Sequence, residues 1–381
     1  MLASSDLERR LRAQLDRLEA EGLRRSLRVP SGIDFSSNDY LGLSTHPLLL
    51  EAMAEAVARE GCGSAGSRLL RGERAAFTQL ERRFAAFKRT ERALYFSSGY
   101  LANLAVLATF AEPGDVIYSD AHNHASLIDG ARLSKAQRWI FPHGDVPALA
   151  ALMDEETAPG QKFIVTESLF SMDGDMAPLA ELSRLAAAHG AALIVDDAHA
   201  VGIFGPGSAG LSGEAWISVS TAGKALGVCG AFVAGPEWAI EYLIQRARPF
   251  IFSTAAPPPV AAALDASLTV IEREPWRRTQ LLARAGYLRR RLAEVGIAVP
   301  KGVSQIIPVV IGENERAMRV ARSLQERGFD ARAIRPPSVP EGTARLRLSI
   351  NANLTERTLD RFVTALARAL KENAACLAAS S

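Results

Sequence analysis

One lysine sits in an unusual setting. Lys224 lies in "STAGKALG" (residues 220–227), where Thr, Ala, Gly, Ala, Leu and Gly replace the polar neighbours of an ordinary surface lysine. The stretch follows a β-branched run, "WISVS". Small neighbours let a bulky electrophile approach the amine, and a lysine in such a pocket can form a Schiff base with an aldehyde. Four other apolar runs also end in reactive groups. "YFSSGYLAN" gives Ser98, Gly99 and Tyr100; "YSDAHNHASL" gives His122 and His124; "VTESLFSMDGD" gives Glu167 and Ser171; "LIVDDAHAVG" gives Asp196 and His199. Thr221 stands with Lys224 on the fifth.

Each residue alone has a plainer reading. An aspartate after a strand is often a cap, a histidine a satisfied hydrogen-bond partner, "SSGY" a turn with an N-cap, and Lys224 a loop residue. Five such ends together point to a site, because open α/β sheets bind ligands beyond the carboxyl ends of their strands. The chemistry follows from the set. A carboxylate beside a ring nitrogen keeps a pyridine protonated and makes it an electron sink. A helix opened by glycine offers free N–H groups to a phosphate. A flat imidazole can stack on a ring. Aldehyde, pyridine and phosphate together describe pyridoxal 5′-phosphate.

The elements that must position these groups are legible as an alternation. From about residue 47 to 255, seven β-rich runs ("ALYFSS", "DVIYSD", "QRWIFP", "KFIVTES", "AALIVDD", "WISVST", "GAFVAGP") are separated mostly by helical stretches. In one of these, "FTQLERRFAAF", Phe77, Leu80, Phe84 and Phe87 share a face at helical spacing. Such alternation predicts an α/β domain with a large, mostly parallel seven-stranded sheet covered on both sides. Residues 1–45 read as an N-terminal helix and extended arm, 46–255 as the large domain, and 256–381 as a smaller C-terminal α+β domain, with the boundary in "FSTAAPPPV". Two GxGxxG matches, "GCGSAG" (61–66) and "GPGSAG" (205–210), do not lead from a strand into a helix, as a dinucleotide fingerprint requires. They read as glycine loops.

A formal net charge of +2 on 381 residues, with charges interspersed, gives no reason to invoke nucleic acid or an anionic membrane. Cys62, Cys229 and Cys376 are far apart and odd in number, which speaks against a disulfide framework or a zinc site and fits a reducing, cytoplasmic setting. The first 22 residues are charged and helical in period, without the apolar core of a secretory leader. No apolar run reaches the length of a membrane span.

The chain resembles the α-oxoamine synthases, which are fold type I pyridoxal-phosphate transferases. "SSNDYLGL", "GSRLLRG", "FSSGY", "HASL", "FSMDGD", "DDAH", "GKALG" and "RPPSVPEGTARLRLS" occur in the family's order, over about residues 23–370. The last block is similar to the branch that joins L-alanine to a pimeloyl thioester in biotin synthesis. The alternatives are a glycine-using member with another acyl-CoA and a catalytically silent pyridoxal-phosphate-binding protein. The resemblance implies that Lys224 holds the cofactor covalently and later acts as base, that Asp196 pairs with the ring nitrogen, and that His124 stacks on the ring. It implies that His199 and Ser171 contact the ring hydroxyl side, with His122 a weaker neighbour. Ser98, Gly99, Tyr100 and Thr221 would serve the phosphate.

Asn38 and Glu167 would lie near the substrate, Arg347 would take the amino-acid carboxylate, and Arg335 and Arg24 are weaker candidates for the far carboxylate of the acyl chain. In the resembled family the segment holding Ser253 and Thr254 reaches the phosphate of the neighbouring subunit, which implies a homodimer; the plainer reading makes these hydroxyls caps of a helix near Pro258. The acyl carrier, coenzyme A or a carrier protein, stays open. Departures from the family pattern are a short segment at 29–33, a compressed one at 205–216, Phe77 where His is frequent, and Ala200 where Gly is common.

Overall fold

The computed structural model describes residues 4–378, and the chain divides into two compact units. In chain order the strands are β1 (Ile33–Asp34), β2 (Arg92–Phe96), β3 (Val116–Asp120), β4 (Gln137–Phe141), β5 (Lys162–Glu167), β6 (Ala192–Asp196), β7 (Ile217–Thr221), β8 (Ala231–Gly235), β9 (Ile306–Gly312), β10 (Phe329–Asp330), β11 (Ala333–Ile334) and β12 (Ala344–Ser349). All seven β-rich runs of the central region form strands.

The larger unit comprises residues 38–171 and 175–279. Its seven-stranded sheet runs β2-β8-β7-β6-β5-β3-β4, and β8 alone opposes its neighbours. β3 to β7 are parallel, and their near-continuous burial outside the β4 edge is what a sheet covered on both faces demands. One apolar layer joins Phe96, Val106, Leu127, Val165 and Val219; the other joins Tyr118, Phe141, Leu149, Ile164 and Val195. From β3 the chain moves outward to β4, and from β5 it moves the other way through β6 to β7. The order therefore reverses between β3 and β5, the kind of switch point beyond whose carboxyl ends open α/β sheets bind ligands.

The two GxGxxG stretches are loops, the second holding one short 3-10 turn at Pro206–Ser208. Gly205 and Gly210 are both left-handed (φ +75° and +97°), and a Cβ on Gly205 would stand 1.8 Å from the Gly210 carbonyl oxygen. A Cβ on Gly210 would likewise stand 1.8 Å from Asp197 Oδ2, so the glycines let a tight loop close onto a buried aspartate.

The second unit comprises residues 1–37, 172–174 and 280–381. It holds the antiparallel sheet β11-β12-β9 and the parallel pair β1-β10, with helices Ser4–Ala20, Asn314–Glu326 and Glu356–Ala378. Phe35 stacks on Phe362 with ring centroids 4.0 Å apart.

These divisions differ from the expected boundaries at 45 and 255. Residues up to 37 group with the C-terminal unit because β1 pairs with β10 nearly 300 residues away. The larger unit continues to Thr279 because helix Pro258–Arg273 buries Val260, Ala261, Leu264 and Leu268 within it. "FSTAAPPPV" breaks the composition but does not separate the units.

Candidate active site

The ends of β6 and β7 meet at Lys224. The chain leaves β7 at Thr221, turns through the small residues of "AGKALG", and places Lys224 Nζ 2.8 Å from His199 Nε2. His199 lies in the turn after β6, and its Nδ1 stands 2.7 Å from Tyr40 Oη. Tyr40 Oη in turn donates to Asn38 Oδ1 at 2.9 Å. A hydrogen-bonded chain Asn38–Tyr40–His199–Lys224 therefore fixes the direction of the amine.

Asp196 ends β6 and is 7 % exposed. Its Oδ2 accepts from Asn103 Nδ2 at 2.7 Å, and its Oδ1 accepts from the Ala198 amide at 2.9 Å. Asn103 also donates to Ser126 Oγ, which contacts His124 Nδ1 at 2.8 Å. Asn103 lies in helix Gly99–Phe110 and Ser126 in helix Ala125–Ser134. The two helices approach closely at Gly130, where a Cβ would meet the Asn103 carbonyl at 3.0 Å. Burial, opposed by the Asp196 charge and reinforced by Lys224, lowers the affinity of His124 for a proton.

Glu167 ends β5 directly beside Asp196 in the sheet register. It is 3 % exposed, and its Oε1 has no hydrogen-bond partner among the described residues. Burial first, then the Asp196 charge, push its pKa up to about 8 against the pull of Lys224. A carboxyl in that state carries a proton at neutral pH.

Ser98 caps helix Gly99–Phe110, and its Oγ accepts from the Leu101 amide at 3.2 Å. The Ala102 amide reaches the Ser98 carbonyl. That leaves the amides of Gly99 and Tyr100 as open donors of the first turn. A Cβ on Gly99 would stand 3.5 Å from Thr221 Oγ1, so the helix start and the Thr221 hydroxyl are neighbours. The Tyr100 hydroxyl is already engaged by Asp129. The residues fit pyridoxal phosphate: an amine, an anchored carboxylate, an imidazole, a buried carboxyl with one unpartnered oxygen and open amides at a helix start lie within one unit.

The other predicted residues fall elsewhere. Ser171 lies in the loop after β5, half-buried. His122 stacks on His143 at 4.0 Å, and His143 bridges Asp120 and Asp175. Ser253 is half-buried and Thr254 exposed, in the loop before helix Pro258–Arg273. Neither hydroxyl caps that helix, whose N-cap is Pro257 without a side-chain bond. Arg347, Arg335 and Arg24 belong to the second unit. Arg347 is buried on β12 and donates to Ser349 Oγ at 2.6 Å. Arg335 donates to the carbonyls of Gly22 and Arg24, and Arg24 pairs with Glu19 at 3.2 Å.

Sequence reasoning passed over Tyr40, Asn103 and Ser126. Asn103 carried a signal, being a lone amide inside the apolar helix "GYLANLAVLATF". It also passed over Lys88, whose Nζ is buried 2.7 Å from Asp197 Oδ2, with Ala209 O and Ser212 Oγ as further acceptors. Asp197 Oδ1 accepts from Ser168 Oγ at 2.6 Å and from the Leu211 amide at 3.1 Å. This network holds the turn that follows Asp196 and carries His199.

Comparisons with known proteins place the chain in a family. The family model described as aminotransferase class I and II matches residues 30–366. The 8-amino-7-oxononanoate synthase of Anaeromyxobacter dehalogenans is 45 % identical over 380 residues, covering 94 % of this chain and 95 % of its own. A serine palmitoyltransferase from S. paucimobilis, solved with a bound PLP–myriocin aldimine, superposes with TM-score 0.90 at 29 % identity, covering 96 % and 98 % of the two chains. The 8-amino-7-oxononanoate synthase of Francisella tularensis gives TM-score 0.77 at 31 % identity, covering 90 % and 98 %.

Proposed function

From the premise that this chain belongs to the aminotransferase class I and II family, and within it to the 8-amino-7-oxononanoate synthases, we propose the following division of labour for its reaction. L-Alanine and a pimeloyl thioester give 8-amino-7-oxononanoate, carbon dioxide and free thiol. A bond forms between the alanine α-carbon and the thioester carbonyl carbon; the C–S bond and the bond to the alanine carboxylate break. The observation that carries the reading is the amine of Lys224 held by His199 and Tyr40 beside the anchored carboxylate of Asp196.

When bound, pyridoxal phosphate supplies an electron sink for negative charge at the alanine α-carbon. Lys224 holds it and, once displaced, takes the α-proton as general base. The His199–Tyr40 chain keeps the amine pointed in one direction while its charge changes. Asp196 stays an acceptor toward the ring nitrogen because both its oxygens are anchored by donors. His124, whose affinity for a proton is lowered, presents its flat ring face. The amides of Gly99 and Tyr100, the Ser98 hydroxyl and Thr221 hold the phosphate. Glu167, carrying its proton, donates toward substrate oxygen with Asn38, and His199 and Ser171 serve the ring hydroxyl side.

Arg347 takes the alanine carboxylate, for which a guanidinium fork is suited, and Arg335 and Arg24 the far carboxylate. The working form is a cytoplasmic homodimer in which Ser253 and Thr254 complete the partner's phosphate site. No helix among the described residues is long and apolar enough to cross a membrane.

The test is thiol release by the purified holoenzyme from pimeloyl-CoA and from a pimeloyl carrier protein, with alanine or glycine. Release with alanine alone supports the reading. A preference for glycine over alanine refutes it in favour of a sister activity, and absence of release with every pair refutes it outright.

A further inference from the structure

His143 takes no part in the steps above, yet two segments that do take part converge on its ring. It lies in the loop "FPHGD" beyond the carboxyl end of β4, the strand beside β3. Its Nδ1 is 2.8 Å from Asp120 Oδ1, and its Nε2 is 2.7 Å from Asp175 Oδ2. A neutral imidazole has one N–H, so donation from both nitrogens to two carboxylates requires the imidazolium. The hydrogen bonds to Asp120 and then Asp175 outweigh burial and push its pKa up to about 10. The ring is also packed. His122 lies flat against it, with centroids 4.0 Å apart and planes 15° apart, and Phe170 meets it edge-on at 4.4 Å and 88°.

Asp120 and His122 belong to the stretch that leads from β3 to His124 and helix Ala125–Ser134. Asp120 is a buried, fixed anchor: Oδ1 also accepts from the His122 amide at 2.8 Å, and Oδ2 accepts from the Gly144 amide at 3.0 Å. Phe170 and Asp175 flank Ser171 in the segment after β5. That segment closes on itself, with the Ala177 amide donating to the Ser168 carbonyl at 3.2 Å and the Phe170 amide to the Asp175 carbonyl at 3.0 Å. One ring therefore touches a carboxylate and an aromatic face or edge from each segment, all within the larger unit. An apolar side chain between His122 and Phe170 would fill the same space without the cost of desolvating a charge. A cation spanning two carboxylates adds what packing alone does not, a fixed distance and direction.

Resting on the cofactor contacts proposed above for His124 and Ser171, we propose that His143 is a positioning residue. It clamps the turn bearing His124 to the segment bearing Ser171, and so sets the spacing between the group on the face of the cofactor ring and the group on its hydroxyl side. His122 serves this clamp by stacking on it.

The test follows the absorbance of the bound cofactor against pH in the holoenzymes of wild type, Ser171→Ala, His143→Gln, Asp175→Asn and the His143→Gln/Asp175→Asn pair. A hydroxyl donating to the ring oxygen stabilises its anionic form, so loss of that contact raises the pH midpoint. An upward shift of about one unit in His143→Gln, the worth of one charge-assisted hydrogen bond, with an upward shift in Asp175→Asn and none beyond His143→Gln in the pair, supports the clamp. The two substitutions remove charges of opposite sign, so a shift of one sign in both reports geometry rather than the field of either charge. The Asp175 side chain is half-exposed, so Asp175→Asn keeps the test decisive if His143→Gln does not fold. Shifts of opposite sign, shifts that add in the pair, or a lowered thermal midpoint with the absorbance midpoint unmoved overturn the proposal. If Ser171→Ala moves the midpoint and His143→Gln does not, the clamp alone falls. If neither moves it, the contact on which the clamp rests falls with it. All of this is read without turnover, so thiol release by the wild type judges the synthase reading separately.

Discussion

Lys88→Met is the most demanding test of how the site is held. Lys88 and Asp197 form an ion pair with side chains 4 % and 0 % exposed. Removing one partner of such a pair strands the other, at a cost of about 3–5 kcal/mol. Asp197 would keep the Ser168 and Ser212 hydroxyls and the Leu211 amide, so the lower end, about 3 kcal/mol, is expected. For a unit of this size that corresponds to roughly 6–12 °C in thermal midpoint.

The pH dependence identifies the cause. In the wild type burial pushes the Asp197 carboxyl up, but the Lys88 charge and hydrogen bond, then Ser168 and Leu211, hold it below the usual carboxylate range. A depressed pKa contributes stability that is present above the unfolded value and is lost only in acid. In the variant burial is opposed by neutral donors alone, so the carboxyl rises above its unfolded value, and its penalty shrinks as pH falls. The deficit should therefore narrow between pH 7 and pH 5 in denaturation curves. Lys88→Met/Asp197→Asn should recover part of it at pH 7. A deficit below 1 kcal/mol, or one that does not change with pH, would refute the stranded-carboxylate argument.

Lys224→Ala should lose turnover by several orders of magnitude, because base and covalent anchor vanish together; a borohydride-labelled wild-type peptide lacking Lys224 would overturn that assignment. Glu167 has a folded pKa of about 8, raised above its unfolded value, so its contribution is full in acid and lost as pH rises towards and past 8. Glu167→Gln mimics the protonated form and should flatten that decline in a stability–pH profile; an unchanged slope would mean that Glu167 is ionised at pH 7. Arg347→Ala should weaken alanine binding by about 2–5 kcal/mol if the carboxylate pair is desolvated, measured by titrating the change in cofactor absorbance; an unaltered affinity points to another arginine. Co-refolding Lys224→Ala with Ser253→Ala/Thr254→Ala should restore up to roughly a quarter of wild-type activity, since half of randomly mixed dimers carry one intact shared site; activity no higher than the parents' average would confine those hydroxyls to their own chain.

Much of the large unit was legible because its strands are short, apolar and punctuated by the residues that do the chemistry. A parallel sheet places every strand's carboxyl end on one edge, so listing polar residues at those ends is already a spatial statement. The arm and the unit boundary were not legible, because β1 and β10 are two residues each and pair across the whole chain. No periodicity announces a two-residue strand.

The sharpest limit lies in "DDAH". Asp196 and Asp197 are adjacent and chemically identical, and successive side chains at a strand end point to opposite faces. In a sheet exposed on one face, alternation of polar and apolar neighbours would say which aspartate looks inward. Here both faces are buried, and the preceding "LIV" is apolar throughout, so the pattern is silent. The listing of strand ends named Asp196 without a rule that passes over Asp197, and the resemblance assigned its role. The physical distinction rests on partners remote in sequence: Asn103, 93 residues away, turns toward one carboxylate, and Lys88, 109 residues away, neutralises the other. Exchanging the two roles would require the cation on one face and the neutral amide on the other. A carboxylate paired with the buried ammonium has its charge already cancelled. The one held by an amide and a backbone N–H keeps its charge available for a cationic ring nitrogen, and that physical ground supports the proposal of Asp196, rather than its neighbour, as the cofactor's partner.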